Sequence, residues 1–415
     1  MMLPLELIIN IVTFLDDLPA PKEEWEDHSW PDTNCWRRIS PSLFACSLVC
    51  NTWSHICRPL IFHSIRIACT RDTMPDAFLF LHSTAPHLCP LILNLRLSFR
   101  AGAGEAVPEW MGACLSRFTN LRALELWCWS DMPPKDTTPL TQAIVSLLAS
   151  TSLSRLTLMG WDHGNNVSDL RRILSACSVS LAHLTIAGYN HLPLHAASAA
   201  SDRPAVSLKA LRKLELFDLS RSATPFGRSI LLDCPNLETF TVSQELSDGG
   251  PWGLPSWIPA RITTLNLHAT TSATLPQFTR PIYPSRLTVQ REAYVFGDIY
   301  VLQCINRLPF IDHLQQLTIK MIYREHGLLS MSRSMHYNEL SGVLQSLRHP
   351  ALLIRLILNF TAAASDEKNF GADELDRITR GEIAKLKEAF APLLSTGGLS
   401  ILVAIGSRAP IELCG

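Results

Sequence analysis

The residue types that could do chemistry are present in this sequence, but their spacing supports none of the usual constellations. Cys46 and Cys50 lie four apart, as on one helical face, with His55 and Cys57 close behind. A structural zinc site wants two well-spaced ligand pairs, and these residues do not supply them, so no metal is expected. Ala101-Gly-Ala-Gly-Glu105 is glycine-rich, yet it lacks the Gly-Lys-Ser/Thr of a phosphate loop and reads as a strand-to-helix turn. His191 and His195 have the spacing of a helical ligand pair, but Pro193 between them argues against the helix. No Gly-x-Ser-x-Gly elbow occurs. The acidic pairs Asp366-Glu367 and Asp373-Glu374 read as solvated or helix-start residues. No catalytic site and no cofactor are expected on these grounds, with a hydrolase-type α/β enzyme kept as an alternative.

A repeated pattern carries more information. Apolar-x-x-apolar-x-apolar appears as Ile92/Leu95/Leu97, Leu121/Leu124/Leu126, Leu153/Leu156/Leu158, Leu181/Leu184/Ile186 and Leu211/Leu214/Leu216. It continues as Leu237/Phe240/Val242, Ile262/Leu265/Leu267, Leu314/Leu317/Ile319 and Leu353/Leu356/Leu358, with a weaker copy at Leu287 and Val289. The first spacings are 29, 32, 28, 30, 26 and 25 residues. A near-constant period in this range marks a stack of units that cannot bury their apolar faces singly. The x-apolar-x-apolar part predicts a short strand with alternate residues inward.

Helices are predicted between the strands at Glu109–Phe118, Leu140–Leu148, Val167–Cys177, Pro225–Leu232 and Val301–Leu308, and loops at Asp131–Pro139 and Leu246–Pro259. A long amphipathic helix at Asp373–Leu394 and a last strand at Ser400–Ile405 predict a terminal cap.

The same pattern places large side chains on the outward side of the strands. One place after the second inward residue of the pair stand Trp127, Met159, Ala187 and Phe217; three places after stand Trp129, Trp161 and Tyr189. Equivalent positions of neighbouring strands lie side by side, so these residues predict one contiguous patch. Exposed aromatics in a cluster are unusual unless something covers them. Trp127, Trp129, Met159, Trp161, Tyr189 and Phe217 are therefore the candidate binding residues; the other reading is that loops or the terminal helix cover them within the fold.

The chain has 415 residues, 47% hydrophobic and 18% charged, which suits a packed protein of at least two units. Its net charge of −1 shows no basic excess for nucleic-acid binding. There is no run of about eighteen apolar residues, so no membrane span is expected, and no secretory n-region precedes Leu3. The twelve cysteines then read as reduced, buried small hydrophobes of a cytoplasmic or nuclear protein.

The first 67 residues have their own pattern. Leu3, Leu7, Ile8, Ile11, Val12, Phe14 and Leu15 recur at helical spacing, with Pro4 and Glu6 suited to a first turn. A second apolar helical surface is predicted from Leu43, Cys46, Leu48, Val49, Cys50, Trp53 and Ile56, with Pro59 stopping it. Leu3-Pro4-Leu5-Glu6-Leu7 and Leu48-Val49-Cys50-Asn51-Thr52-Trp53 resemble the two signature pieces of an F-box, and the tail Pro59–Ile65 is similar to the segment that follows it in fungal members. An insertion at 16–41, with Trp25, Trp30 and Trp36, separates the pieces and reads as a surface excursion. The later repeats resemble a divergent leucine-rich-repeat array that lacks the usual asparagine.

These resemblances imply an α/β protein: a helical F-box over 1–67, then a leucine-rich-repeat-like solenoid over 68–415. They imply docking on a Skp-type linker subunit, and through it on a cullin, by Leu3, Pro4, Leu7, Ile8, Ile11, Leu15, Leu48, Val49, Cys50 and Trp53. The solenoid would hold a protein target for ubiquitin transfer. A repeat scaffold acting outside any ligase is the other reading, distinguished by whether Leu3, Leu48 and Trp53 face solvent. No nucleic-acid or membrane partner is implied.

Overall fold

The computed structural model describes residues 7–9, 11, 41–69, 74–99, 110–128, 138–159, 167–187, 205–217, 232–244, 257–269, 282–292, 308, 310–323, 337–347, 352–360, 372–405 and 410–414. The protein is α/β, with thirteen strands in one large, mostly parallel sheet and helices between them. Two compact units divide the chain: Met1–Ala187 with Val206–Ala210, and Gly188–Ala205 with Leu211–Gly415.

In the first unit, helices α1 (Pro41–Ser47) and α2 (Asn51–Ile61) lead into strand β1 (Ser64–Cys69). The sheet thus begins one strand earlier than the repeat that starts at Ile92. Strands β2 (Asn94–Phe99), β3 (Ala123–Cys128), β4 (Arg155–Met159) and β5 (His183–Ala187) follow, each parallel to the one before it. The inward pairs Leu95/Leu97, Leu124/Leu126, Leu156/Leu158 and Leu184/Ile186 stack in register and are buried. Helix α3 (Met74–Leu79) joins β1 to β2, and α4 (Trp110–Leu115), α5 (Thr138–Ser150) and α6 (Val167–Ala176) fill the later crossovers. In α5 the residues Ile144, Leu147 and Leu148 are buried at three- and four-residue spacing, the stripe that packs a helix on a sheet. A Cβ added at Gly112 in α4 would stand 3.9 Å from the Ala143 Cβ of α5, so this pair of helices packs closely through small residues.

One backbone arrangement recurs at the strand starts. The N–H groups of Leu93 and Asn94 both donate to the His63 carbonyl, at 2.9 and 3.0 Å. Those of Arg122 and Ala123 converge on Leu93, those of Ser154 and Arg155 on Arg122, and those of Ala182 and His183 on Ser154. Each unit of the period therefore hangs its entering chain on a carbonyl of the unit before, which satisfies two donors with one acceptor and fixes the register.

The second unit repeats this geometry. Its strands are β6 (Lys213–Phe217), β7 (Thr239–Gln244), β8 (Thr264–Ala269), β9 (Arg286–Glu292), β10 (Gln316–Tyr323), β11 (Leu353–Phe360), β12 (Leu399–Ile405) and β13 (Ile411–Cys414). Glu238 and Thr239 converge on the Arg212 carbonyl, Thr263 and Thr264 on Glu238, Ser285 and Arg286 on Thr263, and Gln315 and Gln316 on Ser285. Even the weak copy at Leu287 and Val289 forms a full strand, in register with Leu265/Leu267 and Leu317/Ile319. Helix α7 (Tyr337–Ser346) precedes β11, and α8 (Ala372–Leu394) buries Leu386, Phe390 and Leu393. Gly397, at φ 69°, takes the left-handed conformation that ends α8 and turns the chain into β12. Strand β13 pairs antiparallel to β12.

Several expected elements differ. Leu232 lies in a two-residue strand, Leu232–Asp233, and Leu308 is buried outside any helix; the rest of those two predicted helices lies outside the described residues. Pro59 does not stop α2 but sits in its last turn, where only one backbone bond is forgone, and the Phe62 N–H still reaches the Arg58 carbonyl at 2.9 Å. The insertion ends one residue early, since Pro41 opens α1, a position that needs no N–H donor.

Candidate functional site

The N-terminal helices build a small cluster of their own. Ile8, Leu43, Cys57 and Ile61 are its buried members, with Cys46, Trp53, Ile56, Leu60 and Phe62 packed against them. The helical residues 7–9 and 11 thus meet α1 and α2 through Ile8 and Leu43. Leu48-Val49-Cys50 is not helical as expected. It forms the turn between α1 and α2, held by Leu48 N–H to Ala45 and Val49 N–H to Cys46, both 3.1 Å. Cys50 is extended, at φ −164° and ψ 173°, and starts the next helix.

This turn has a consequence for exposure. Leu48 is 74% exposed and Val49 66%, because a turn projects successive side chains away from the helical contact that buries Leu43. Leu7, Ile11 and Cys50 are exposed as well. Ile9 and Phe44, which the sequence reading left out, add to this exposed apolar set. Ile8 is corrected to a core residue, and Trp53 is half-buried against the core, not a free anchor. Leu3, Pro4 and Leu15 lie outside the described residues.

For the described members of the expected patch, the outward side supports the reading in which they are covered within the fold. Trp127 and Met159 do occupy neighbouring register positions, with Ala187 next in the row, but Trp127 is only 9% exposed and Met159 1%. Phe217 in the second unit is buried too. Trp127 belongs to a buried polar cluster within the first unit. The Arg96 Nε donates to Glu125 Oε2 at 2.7 Å, and the Trp127 indole Nε1–H donates to the same oxygen at 3.3 Å. The Arg96 guanidinium lies 4.6 Å from the centre of the Trp127 ring. Arg96, Ser98, Glu125, Thr157 and Thr185 are all buried polar residues on this side. A tryptophan whose N–H and ring face are both engaged by a buried ion pair is interior structure. Trp129, Trp161 and Tyr189 lie outside the described residues.

The outward side of the second unit is partly open. Asn266 Nδ2 donates to Thr241 Oγ1 at 3.0 Å, and Lys213 bridges Glu215 at 2.7 Å. His268 contacts the Phe217 ring at 5.9 Å between centroids. Burial first, and then the Lys320 ammonium, hold the His268 imidazole down to a pKa of about 4, with Glu215 opposing. The sequence pattern singles out Phe217 but not His268 or Lys320.

Chemistry elsewhere is quiet. Among the described residues no group of three or more His, Cys, Asp or Glu could hold a metal ion. Cys46, Cys50, His55 and Cys57 differ in exposure, from buried Cys57 to exposed Cys50 and His55. Burial pushes the Cys177 and Cys234 thiols up to about 12 and raises Cys57, which disfavours nucleophilic thiolates there. No helix among the described residues is long and apolar enough to cross a membrane. The glycine-rich stretch 101–105 and the histidines His191 and His195 lie outside the described residues. No family model matches the chain, and no curated protein matches it.

Proposed function

We propose that this protein is a substrate-recognition adaptor of a cullin–RING ubiquitin ligase. The helical N-terminus acts as an F-box that docks on a Skp-type linker subunit, and the strand repeats act as a leucine-rich-repeat-like solenoid that holds a target protein. The chain makes and breaks no bonds itself; the ligase components supply the ubiquitin chemistry.

The observation that carries this reading is the exposed apolar set Leu7, Ile9, Ile11, Phe44, Leu48 and Val49 on a helical cluster that already has its own core. A set this apolar left in water is stabilised when a partner covers it. The exposure of Leu48 favours the adaptor over a scaffold in which the F-box-like helices only cap the repeats. The test is capture of recombinant Skp-type linker by the full chain and by a Leu48→Asp/Val49→Asp variant. Capture by the wild type, with at least a tenfold loss in the variant, is expected. Failure of the folded wild-type chain to bind the linker overturns the reading.

A further inference from the structure

The described cations on the outward side of β9, β10 and β11 stand on one face of the second unit, and no ion pair among the described residues engages them. Arg286 begins β9, Lys320 lies in β10 and Arg355 in β11. The strand registers put all three on the side opposite the buried pairs Leu287/Val289, Leu317/Ile319 and Ile354/Leu356, since Arg286 aligns with Gln316, Lys320 with Gln290, and Arg355 with Thr318. From strand spacing and pleat, they are about 8 to 14 Å apart. Arg286 and Arg355 are exposed and Lys320 is half-buried.

Glu292 ends β9 at a register position on this side, aligned with Ile322, and two further carboxylates here have partners of their own. Glu215 is bridged by Lys213 at 2.7 Å, and Glu412 on the edge strand accepts from Ser400 Oγ at 3.1 Å. The face also carries aliphatic side chains in the same rows. Leu353 aligns with Gln316 and is 61% exposed. Ile357 aligns with Lys320, and Leu402 aligns with Ile357; both are half-buried. Between them lie the neutral hydrogen-bonding side chains Thr288, Gln290 and Thr318.

We propose that this face binds an acidic, amphipathic peptide segment of a target protein, its carboxylates on Arg286, Lys320 and Arg355 and its apolar side chains on Leu353, Ile357 and Leu402. The proposal rests on the adaptor reading and names the chemistry of what is held. Charge complementarity selects an anion, and guanidinium groups suit carboxylates through paired N–H donors. The aliphatic contacts select a peptide over a nucleic acid, because a single strand would need aromatic platforms for its bases. A chain of net charge −1 also lacks the general basic excess of a nucleic-acid binder.

The experiment uses the full chain and fluorescence anisotropy. The probes are a short fluorescein-labelled peptide alternating Glu and Leu, its Gln–Leu counterpart, and a labelled oligo-dT strand. Saturable binding of the Glu–Leu peptide is expected, with the Gln–Leu peptide at least tenfold weaker. Arg286→Gln/Lys320→Gln/Arg355→Gln should weaken the Glu–Leu peptide at least tenfold, and the single variants Arg286→Gln and Arg355→Gln, both at exposed positions, several-fold each. Leu353→Ser should weaken both peptides several-fold. Equal binding of the two peptides, unchanged binding by the single variants, or oligo-dT binding as tightly as the Glu–Leu peptide overturns the proposal. Linker capture is measured on the same samples. Wild type that captures the linker but ignores the Glu–Leu peptide sinks this inference alone; wild type that binds the peptide but not the linker sinks the adaptor reading alone.

Discussion

The two units share a strand period, a register and a backbone arrangement at the strand starts, yet stretches of their outward sides differ in character. In the first, Arg96, Glu125, Trp127 and Met159 are buried, and the polar atoms pair with each other. In the second, Arg286 and Arg355 are exposed, Lys320 is half-buried, and Leu353 stands in water among them. Identical backbone geometry therefore does not decide what a sheet face is for. A sealed face must satisfy its own charges, as Arg96 and Glu125 do. An open face can leave cations unmatched, because water solvates them until a ligand arrives.

The largest effect should come from breaking the sealed cluster. Glu125→Ala leaves the Arg96 guanidinium buried without its carboxylate and removes the acceptor of the Trp127 indole. A loss of about 3–5 kcal/mol is expected from denaturant unfolding. Replacing both charges, as Arg96→Met with Glu125→Leu, should recover most of that loss, since two apolar side chains of similar size need no partner. If the single and double variants are equally unstable, the ion pair is not what governs this face.

Trp127→Ala should cost about 3 kcal/mol or more, as for other buried aromatics. A variant that keeps wild-type stability would return Trp127 to the exposed patch that its sequence position suggests. A cost of that size, seen at Trp127 and absent from Leu353→Ser, sharpens the contrast between the two faces.

Next comes a pH effect placed in the second unit. His268 has its folded pKa lowered to about 4, so the unfolded chain binds more protons between that pH and the ordinary imidazole value. Its contribution is then fully present above about pH 6.5 and is lost as pH falls toward 4. Between pH 7 and pH 5 the loss should be about 2 kcal/mol. His268→Gln should remove that part of the slope in unfolding measured at both pH values. An identical slope in the variant would assign the effect to other groups.

The smallest effect on stability is expected at the turn between α1 and α2. Leu48→Asp and Val49→Asp should change the unfolding free energy by no more than about 0.5 kcal/mol, because both side chains are in solvent. Trp53→Ala should cost more than either, since Trp53 packs on Ile8, Leu43, Cys57 and Ile61. A large destabilisation by Leu48→Asp would place this turn inside the protein's own packing.

The sequence alone determined the strands from β2 to β12 and their inward rows, but not β1 or β13. Alternation such as Leu124/Leu126 and Leu156/Leu158 is local, and a period near thirty residues can stack only by bringing equivalent strands together. It also marked α5, α6 and α8, whose apolar spacing matches a helix over two or more turns. It did not determine whether an outward residue is buried. Trp127 and Phe217 look alike in the sequence to any exposed aromatic, because their burial depends on Arg96, Glu125 and His268, each from a different strand. Nor could it join Arg286, Lys320 and Arg355, which lie more than thirty residues apart along the chain and become neighbours only through register. Ile8 and Leu48 make the same point at the N-terminus: both are apolar and in matching motifs, but the contact between helical segments buries one, and a turn delivers the other to solvent. Periodicity is written residue by residue, whereas exposure is a property of whatever the rest of the chain brings alongside.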